Sequence, residues 1–223
     1  MSKDPFRVVI DNYAGLLSED QEGSMTEVFE YYAERSLEQN INFGQFRMDI
    51  ATGYFFFSGF QQTYSSFLSL YRKGILRSVE EQSWGTHAPI RVVMGQTTSR
   101  FTKSILLALI IDRVNSWNSE EISLLKDLID DNLIEFRVFL DRTFHTKYYA
   151  FYLEGTTPDD IWCGSANFSY SGFEKNIELC APIAVNSQTR SLYRRWFDNL
   201  FERSTTDIDV LEALERVSKD DYV

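Results

Sequence analysis

Four short strand-like runs follow one another between residues 134 and 185, and they constrain the fold more than any other feature of the chain. The runs are "IEFRVFL", "HTKYYAFYL", "IWCGSA" and "IELCAPIAV". Short apolar runs rich in β-branched and aromatic residues are typical of buried strands. Three earlier runs are also predicted strands: "FRVVID" (6–11), "FRMDIATGYFFF" (46–57) and "IRVVMG" (90–95). A chain with this many strands needs a β-sheet at its centre.

Helical segments separate or follow these strands. Ser24 and Glu27 form a Ser-x-x-Glu capping box, which predicts a helix from Met25 to about Gln39. Further helices are predicted at about 60–73, 100–117, 119–131, 188–202 and 207–218, with a helical turn in "NFSYSGFEKN". Strands that alternate with helices indicate an α/β fold, a mixed β-sheet sandwiched between helices. No Pro-, Gly- or Ser-rich linker divides the chain, so we predict a single domain over 1–223, with a core at about 45–185 and C-terminal helices over 186–223.

The charge of the chain limits the partners it can bind. The chain has 22 Lys and Arg residues against 33 Asp and Glu residues, a net charge of −11. Non-specific nucleic-acid binding normally needs a basic surface, so a polyanionic substrate would bind in a local cleft or with help from another domain or subunit. The longest apolar run, Ile105 to Ile111, is far shorter than the roughly 20 residues of a membrane span. The start, "MSKDPFRVV", lacks the pattern of a signal peptide. We expect a cytoplasmic protein without a membrane partner.

Residues that suit phosphate chemistry cluster between positions 145 and 178. His145 and Lys147 are two residues apart, and so are Ser165 and Asn167. Glu178 is the last residue of an Asn-Ile-Glu run. Alternate residues of a strand face the same side, so three strand ends would present these side chains together. An imidazole can attack phosphorus, and ammonium and amide donors stabilise charge on a phosphoryl group. One His and one Glu are too few ligands for a metal. The pattern predicts phosphoryl transfer through histidine, with no metal and no cofactor.

This segment resembles the phospholipase D superfamily. The resemblance is carried by His145-Thr-Lys147, Gly164-Ser165-Ala166-Asn167 and Asn176-Ile-Glu178, three elements in the family's order. Upstream, "IATGYFFFSGF" followed by "IRVVMG" is similar to the strand-helix-strand opening of such domains. The clear match covers about 35 residues, and the plausible match runs from about 45 to 183. The fold that the resemblance implies is the phospholipase D/nuclease-like form of the mixed sheet.

The resemblance also implies a mechanism and a role for each residue. In the family, two His-x-Lys motifs meet across a two-fold axis. One His attacks phosphorus and forms a phosphohistidine, the other protonates the leaving oxygen, and water then releases the product without metal. Carried onto this chain, His145 is the nucleophile or, in the partner copy, the acid. Lys147 and Asn167 would hold the non-bridging oxygens, Ser165 would support them, and Glu178 would orient the imidazole.

The number of motifs implies a homodimer. The chain contains one His-x-Lys motif, so the resemblance places the active site on the axis of two copies. His87, in "WGTHAPI", has no Lys two residues later and does not supply the second half. The longer family motif has Asp five residues after the Lys, and Tyr152 stands there in this chain. The phospholipase D-type restriction endonucleases also lack this Asp, so the departure favours a nuclease.

We therefore expect a metal-independent phosphodiesterase that cleaves DNA, as the nuclease domain or subunit of a restriction or related defence system. Target recognition or a motor would lie in a separate domain or subunit. Two alternatives stay open. A phospholipase or phosphatidyltransferase would use the same chemistry on lipid, although the chain shows no obvious amphipathic helix with a basic face. A binding module without catalytic activity would keep only the fold.

Three further features have both a structural and a functional interpretation. The aromatic residues of "KYYAFY" (147–152) favour core packing over base stacking. The stretch "MGQTTSRFTK" (94–103) and Arg142 would contact a DNA backbone or be ordinary surface residues. Cys163 and Cys180 lack metal-ligand spacing, which favours buried free thiols.

Overall fold

The computed structural model describes most of the chain, and the described residues form eight strands and five α-helices. These residues are 9–11, 22–38, 46–55, 57–78, 87–95, 119–153, 156–176, 178–184, 186–206 and 210. The strands are β1 (Val9–Asp11), β2 (Glu22–Gly23), β3 (Arg47–Thr52), β4 (Ile90–Gly95), β5 (Ile134–Phe139), β6 (Lys147–Tyr152), β7 (Asp160–Gly164) and β8 (Leu179–Pro182). The helices are α1 (Met25–Glu38), α2 (Phe57–Gln62), α3 (Tyr64–Arg72), α4 (Ser119–Asp130) and α5 (Ser187–Glu202), with a π-helical turn at Ser171–Lys175.

The strands form one mixed sheet in the order β2-β1-β8-β7-β6-β3-β4-β5. Strands β3, β4 and β5 are parallel neighbours, whereas β6 is antiparallel to β3, and β7 and β8 continue with alternating direction. The carboxyl ends of β3 and β7 therefore meet the amino ends of β6 and β8 at one end of the sheet, which we call the site end. Thr52 pairs with Lys147 there, and Gly164 pairs with Cys180.

Helices cover both faces of the sheet. On one face, Phe29 of α1, Phe67 of α3 and Leu125 of α4 share a core with Tyr149 and Phe151 of β6. On the other face, the apolar side of α5 packs against the alternate residues of β6: Phe197, Leu200 and Phe201 against Tyr148, Ala150 and Tyr152. Side chains of a strand alternate between faces, so β6 serves both layers. Its aromatic residues are buried, which confirms the core-packing interpretation.

A buried ion pair joins α5 to the sheet. Asp49 in β3 has 0 % exposed surface and accepts two hydrogen bonds from Arg91 in β4, at 2.7 and 2.8 Å. Arg91 also lies 2.8 Å from Asp198 in α5. Burial alone would raise the pKa of Asp49, but the guanidinium groups of Arg91 and Arg47 outweigh it and hold that pKa below its usual value. The charged carboxylate therefore fixes Arg91, and Arg91 fixes α5.

The predicted fold class, a mixed sheet sandwiched between helices, is confirmed. The capping box is also present: Glu27 N–H donates to Ser24 Oγ at 3.2 Å, and Ser24 N–H donates to Glu27 Oε2 at 2.9 Å. Helix α1 begins at Met25 as expected, and the strand at 90–95 and the helix near 119–131 are found as β4 and α4. The predicted helices at 100–117 and 207–218 lie outside the described residues, apart from Val210.

Three predicted boundaries were wrong. The strand at 46–57 ends at Thr52, and α2 already begins at Phe57. Phe55 and Phe57, which follow the end of the strand, are buried like the strand itself, so an apolar run does not reveal where the strand ends. The helix at 60–73 is two helices that separate at Thr63. Strand β6 begins at Lys147, so His145 lies in the loop before it. Among the described residues, we find no helix with the length and apolarity that a membrane crossing requires.

Candidate active site

His145 and Lys147 lie side by side at the site end of the sheet. His145 is exposed in the loop before β6, and Lys147, the first residue of β6, is 5 % exposed. Lys147 Nζ lies 3.0 Å from His145 Nδ1 and 3.0 Å from the His145 carbonyl oxygen. An ammonium group only donates hydrogen bonds, so Nδ1 is the acceptor. A neutral His145 in this arrangement therefore carries its proton on Nε2.

Burial and a neighbouring carboxylate together set the charge of Lys147. Burial lowers the pKa of Lys147 below that of an ordinary lysine, and the nearby Glu178 offsets part of this effect by raising it. An ammonium group that is partly removed from water attracts an anion more strongly than an exposed one. Lys147 is therefore suited to hold an anionic phosphate oxygen next to His145.

Asn167 is held against the end of β3. Tyr54 N–H donates to Asn167 Oδ1 at 3.2 Å, and the Thr52 hydroxyl oxygen lies 3.4 Å from the same atom. The Thr52 hydroxyl donates to the Tyr54 carbonyl at 2.7 Å and accepts from Phe168 N–H at 3.2 Å. Because a backbone N–H cannot accept, the amide atom that faces Tyr54 is the oxygen. The NH2 group of Asn167 is therefore the part of the side chain left to donate to a ligand.

Gly53 lies between His145 and Asn167. A Cβ atom at Gly53 would lie 3.3 Å from His145 Cδ2 and 3.3 Å from Asn167 Oδ1. The imidazole and the amide thus border one small space above Gly53. The Tyr54 ring adjoins it, with its centroid 6.4 Å from that of the imidazole and its plane at 89°. No function was predicted for residues 52–54; a glycine directly after a buried strand is the sequence signal that points to them.

Ser165 fastens the start of β8 to the end of β7. Leu179 N–H donates to Ser165 Oγ at 3.0 Å, and Ser165 N–H donates to the Leu179 carbonyl at 2.9 Å. Because β7 ends at Gly164, the strand alternation that was expected to align Ser165 with Asn167 does not reach them. The contacts of Ser165 fit a supporting role at the site end.

Glu178 lies near Lys147 but is not hydrogen-bonded to the imidazole. It accepts a hydrogen bond from Asn176 Nδ2 at 3.3 Å, and its charge raises the pKa of Lys147. Among the described residues, no hydrogen bond joins Glu178 to His145, whose Nδ1 is occupied by Lys147. The role of Glu178 in orienting the imidazole stays a prediction.

Tyr152, which stands at the position of the missing motif Asp, is hydrogen-bonded to a buried carboxylate. The Tyr152 hydroxyl donates to Asp49 Oδ2 at 2.5 Å, and Asp49 lies on the adjacent strand β3. The neighbouring strand therefore supplies a buried carboxylate that Tyr152 reaches through its hydroxyl. Because this carboxylate is paired with Arg91, it supports the sheet rather than reacting.

The second histidine lies away from this site. His87 precedes β4, 2.8 Å from Glu202 and 3.4 Å from Glu135. The amino end of β4 is opposite the site end, so His87 does not complete the site within one chain. In the part of the chain that the structure describes, no group of three or more His, Cys, Asp and Glu side chains is arranged to hold a metal ion. Cys180 is buried, Cys163 is half-buried, and both are free thiols.

Fold and site together define an α/β protein with a His–Lys pair and an asparagine amide at one end of a mixed sheet. No protein-family model matches the chain, and no curated protein matches it significantly. Solved structures similar to it include a phospholipase D family member, Nuc from Salmonella typhimurium, at 12 % identity over 79 % of this chain and 90 % of that one, with a TM-score of 0.40.

Two further structures are similar at the same level. NucT from Helicobacter pylori has 13 % identity over 79 % of this chain and 93 % of that one, with a TM-score of 0.41. Polyphosphate kinase from Porphyromonas gingivalis has 12 % identity over 88 % of this chain but 27 % of that one, with a TM-score of 0.49. At these identities and scores the likenesses carry no functional argument, so the case for a function depends on the geometry of the site.

Proposed function

We propose that this protein is a metal-independent phosphodiesterase that cleaves DNA through a phosphohistidine on His145. The observation that supports this most directly is the 3.0 Å contact of Lys147 Nζ with His145 Nδ1, beside a space that Asn167 also borders. A nucleophilic imidazole next to ammonium and amide donors supplies what phosphoryl transfer needs: an attacking nitrogen and groups that stabilise charge on the non-bridging oxygens.

The proposed reaction has two steps. In the first, an unprotonated nitrogen of His145 attacks phosphorus, the bond from phosphorus to the leaving oxygen breaks, and His145 of a second copy gives that oxygen a proton. In the second, water attacks phosphorus, the phosphorus–nitrogen bond breaks, and the imidazole of the second copy takes the water proton. Lys147 and Asn167 would donate to the non-bridging oxygens in both steps. A phosphate oxygen that takes the hydrogen bonds of Lys147 also releases Nδ1 of His145.

A second copy of the chain is part of the proposal because each chain has one His-x-Lys motif. Leu179, which directly follows Glu178 at the site end, is 59 % exposed. In a dimer with the site on its axis, the second copy would cover this side chain. In an isologous dimer, the same residues of both copies meet on the two-fold axis. This arrangement would bring two His145 side chains to one phosphate.

DNA is the phosphodiester that we propose as substrate. Arg142 is exposed three residues before His145, where it is suited to contact a DNA phosphate. The net charge of −11 disfavours DNA binding by the surface as a whole. We therefore propose that recognition lies in a separate domain or subunit of a restriction or related defence system. This system role is based on the resemblance in sequence alone.

Hydrolysis in EDTA tests the proposal, with plasmid DNA as one substrate and a small aryl phosphodiester, which needs no recognition domain, as the other. We expect turnover of at least one of them in EDTA, and we expect His145→Ala to lower it by at least about a thousandfold. His87→Ala is the matched control, because it removes the histidine at the opposite end of the sheet, and it should keep full activity. Strict dependence on magnesium, or activity that survives His145→Ala, would contradict the proposal.

A further inference from the structure

The end of β3 carries a fully buried hydroxyl that serves two segments of the chain. Thr52 has 0 % exposed surface. Its hydroxyl donates to the Tyr54 carbonyl at 2.7 Å and accepts from Phe168 N–H at 3.2 Å. The first bond shapes the turn after β3, and the second ties that turn to the residue that follows Asn167. A single hydroxyl therefore sets the distance between the Tyr54 backbone and the Asn167 side chain.

That distance decides which way the Asn167 amide points. Tyr54 N–H donates to Asn167 Oδ1 at 3.2 Å, and an amide with its oxygen held there must direct its NH2 group elsewhere. If the turn moved away, the amide would lose its fixed donor and would rotate freely. A rotated amide presents an oxygen to an anionic phosphate, which repels rather than binds it.

Gly53 keeps the adjoining space open. A Cβ atom there would approach both His145 Cδ2 and Asn167 Oδ1 to 3.3 Å, a distance at which neighbouring atoms must give way. Both atoms border the place that a side chain at residue 53 would take. An added methyl group would therefore occupy the place between the imidazole and the amide.

We propose that Thr52 is a positioning residue: with Tyr54 N–H it fixes the Asn167 amide oxygen, so that the NH2 group faces a phosphate oxygen. Gly53, which has no side chain, lets the imidazole of His145 and this amide both lie close to the turn. This inference rests on the proposed phosphodiesterase function. It assigns a role to a strand end that carries no part of the His-x-Lys, Gly-Ser-Ala-Asn or Asn-Ile-Glu motifs.

Kinetics of the aryl phosphodiester form the first test. Thr52→Val, which keeps the shape and removes the hydroxyl, should lower kcat about tenfold to a hundredfold, and Thr52→Ser should restore most of the loss. Asn167→Ala should cost about a hundredfold or more in kcat, and Thr52→Val should add nothing in that background. An equal loss from Thr52→Val with and without Asn167, or no loss at all, would overturn the proposal. Gly53→Ala should abolish turnover while the protein stays folded.

Nuclear magnetic resonance of nitrogen-15-labelled asparagine gives a test that does not depend on catalysis. Inorganic phosphate should shift the side-chain NH2 signals of Asn167 in the wild type but not in Thr52→Val or Gly53→Ala. Thr63→Val is the matched control, since it removes another buried threonine hydroxyl, bonded to the Gly59 carbonyl, and it should leave the phosphate response intact. If the wild type hydrolyses neither substrate but still shows these shifts, the proposed function is refuted and the positioning role of Thr52 stands. A phosphate response that persists in Thr52→Val would refute the positioning role.

Discussion

Lys147 Nζ lies 3.0 Å from His145 Nδ1, so among the described residues it is this lysine, and not Glu178, that is hydrogen-bonded to the imidazole. An ammonium has no lone pair to accept with, and the neutral ring therefore holds its proton on Nε2. In the neutral ring of His145, Nδ1 therefore accepts a hydrogen bond from Lys147, and Nε2 carries the proton. In the proposed reaction, a phosphate oxygen would have to take over the hydrogen bond of Lys147 before Nδ1 could attack.

The tautomer of His145 is the first prediction. Nitrogen-15 chemical shifts of the two histidines, measured at a pH where the rings are neutral, should show an unprotonated Nδ1 and a protonated Nε2 for His145. Lys147→Met removes the donor and should give a mixture of tautomers at this residue alone. A proton on Nδ1 in the wild type would contradict the hydrogen bond that the structure shows.

The charge of Lys147 gives a pH prediction. Its pKa lies below that of an ordinary lysine because of burial, and Glu178 raises it in part. The ammonium, and with it phosphate affinity, should therefore be lost on the alkaline side at a lower pH than for an exposed lysine. Glu178→Gln removes the raising effect, so the alkaline limb of 1/KM should move to still lower pH. Glu174→Gln, in the exposed pair with Thr26, is the control and should leave the limb in place.

The oligomeric state is the third prediction. Light scattering should give a dimer at working concentrations, and Leu179→Asp should yield a folded monomer without phosphodiesterase activity. Leu192 in α5 is 58 % exposed, nearly the same as Leu179, so Leu192→Asp controls for an added surface charge and should remain dimeric. A wild-type monomer that turns over substrate would show that one His-x-Lys motif suffices.

The buried carboxylate of Asp49 gives a stability prediction. Asp49→Asn leaves Arg91 without its buried partner, and removing one member of such a pair costs about 3–5 kcal/mol in the free energy of unfolding. Asp141→Asn breaks the exposed pair with Arg203, at 2.8 Å, and should cost at most about 1 kcal/mol. Urea unfolding of both variants measures the difference, and equal small losses would contradict the role of Asp49.

The same carboxylate makes stability depend on pH. Arg91 and Arg47 hold the pKa of folded Asp49 below its usual value of 3.8, against the effect of burial. A group with a depressed folded pKa stabilises the protein above its unfolded pKa, and the contribution is lost as the pH falls through the folded pKa. Wild type should therefore lose more stability than Asp49→Asn between neutral pH and about pH 3. Parallel losses in the two proteins would contradict this.

The sequence was enough to predict the mixed sheet and its helices, because apolar runs and helical spacing are local patterns. Apolar runs mark β4 and β6. The His-x-Lys spacing predicted that His145 and Lys147 share a face of one strand, whereas His145 lies in the loop before β6 and reaches Lys147 from there. The features that the sequence did not reveal depend on contacts between segments that are distant along the chain. The turn after Thr52 lies inside a largely apolar run, and only the fold shows that Tyr54 N–H meets Asn167.

The missing Asp of the motif shows the same limit. Tyr152 in the sequence is a departure, whereas in space its hydroxyl meets Asp49 on the neighbouring strand. Strand order and register decide such a pairing, and neither is encoded by the spacing of a motif. Likewise, the hydrogen bond of Lys147 with Nδ1 depends on how the loop before β6 places the ring, which the spacing of the motif does not encode.

The stereochemical course at phosphorus tests the central claim most directly. A phosphorothioate diester of one configuration is hydrolysed in heavy-oxygen water, and the configuration of the product is determined. Two successive displacements, first by His145 and then by water, each invert phosphorus, so the account predicts overall retention. Inversion would mean that water attacks the diester directly, and it would contradict a covalent intermediate on His145.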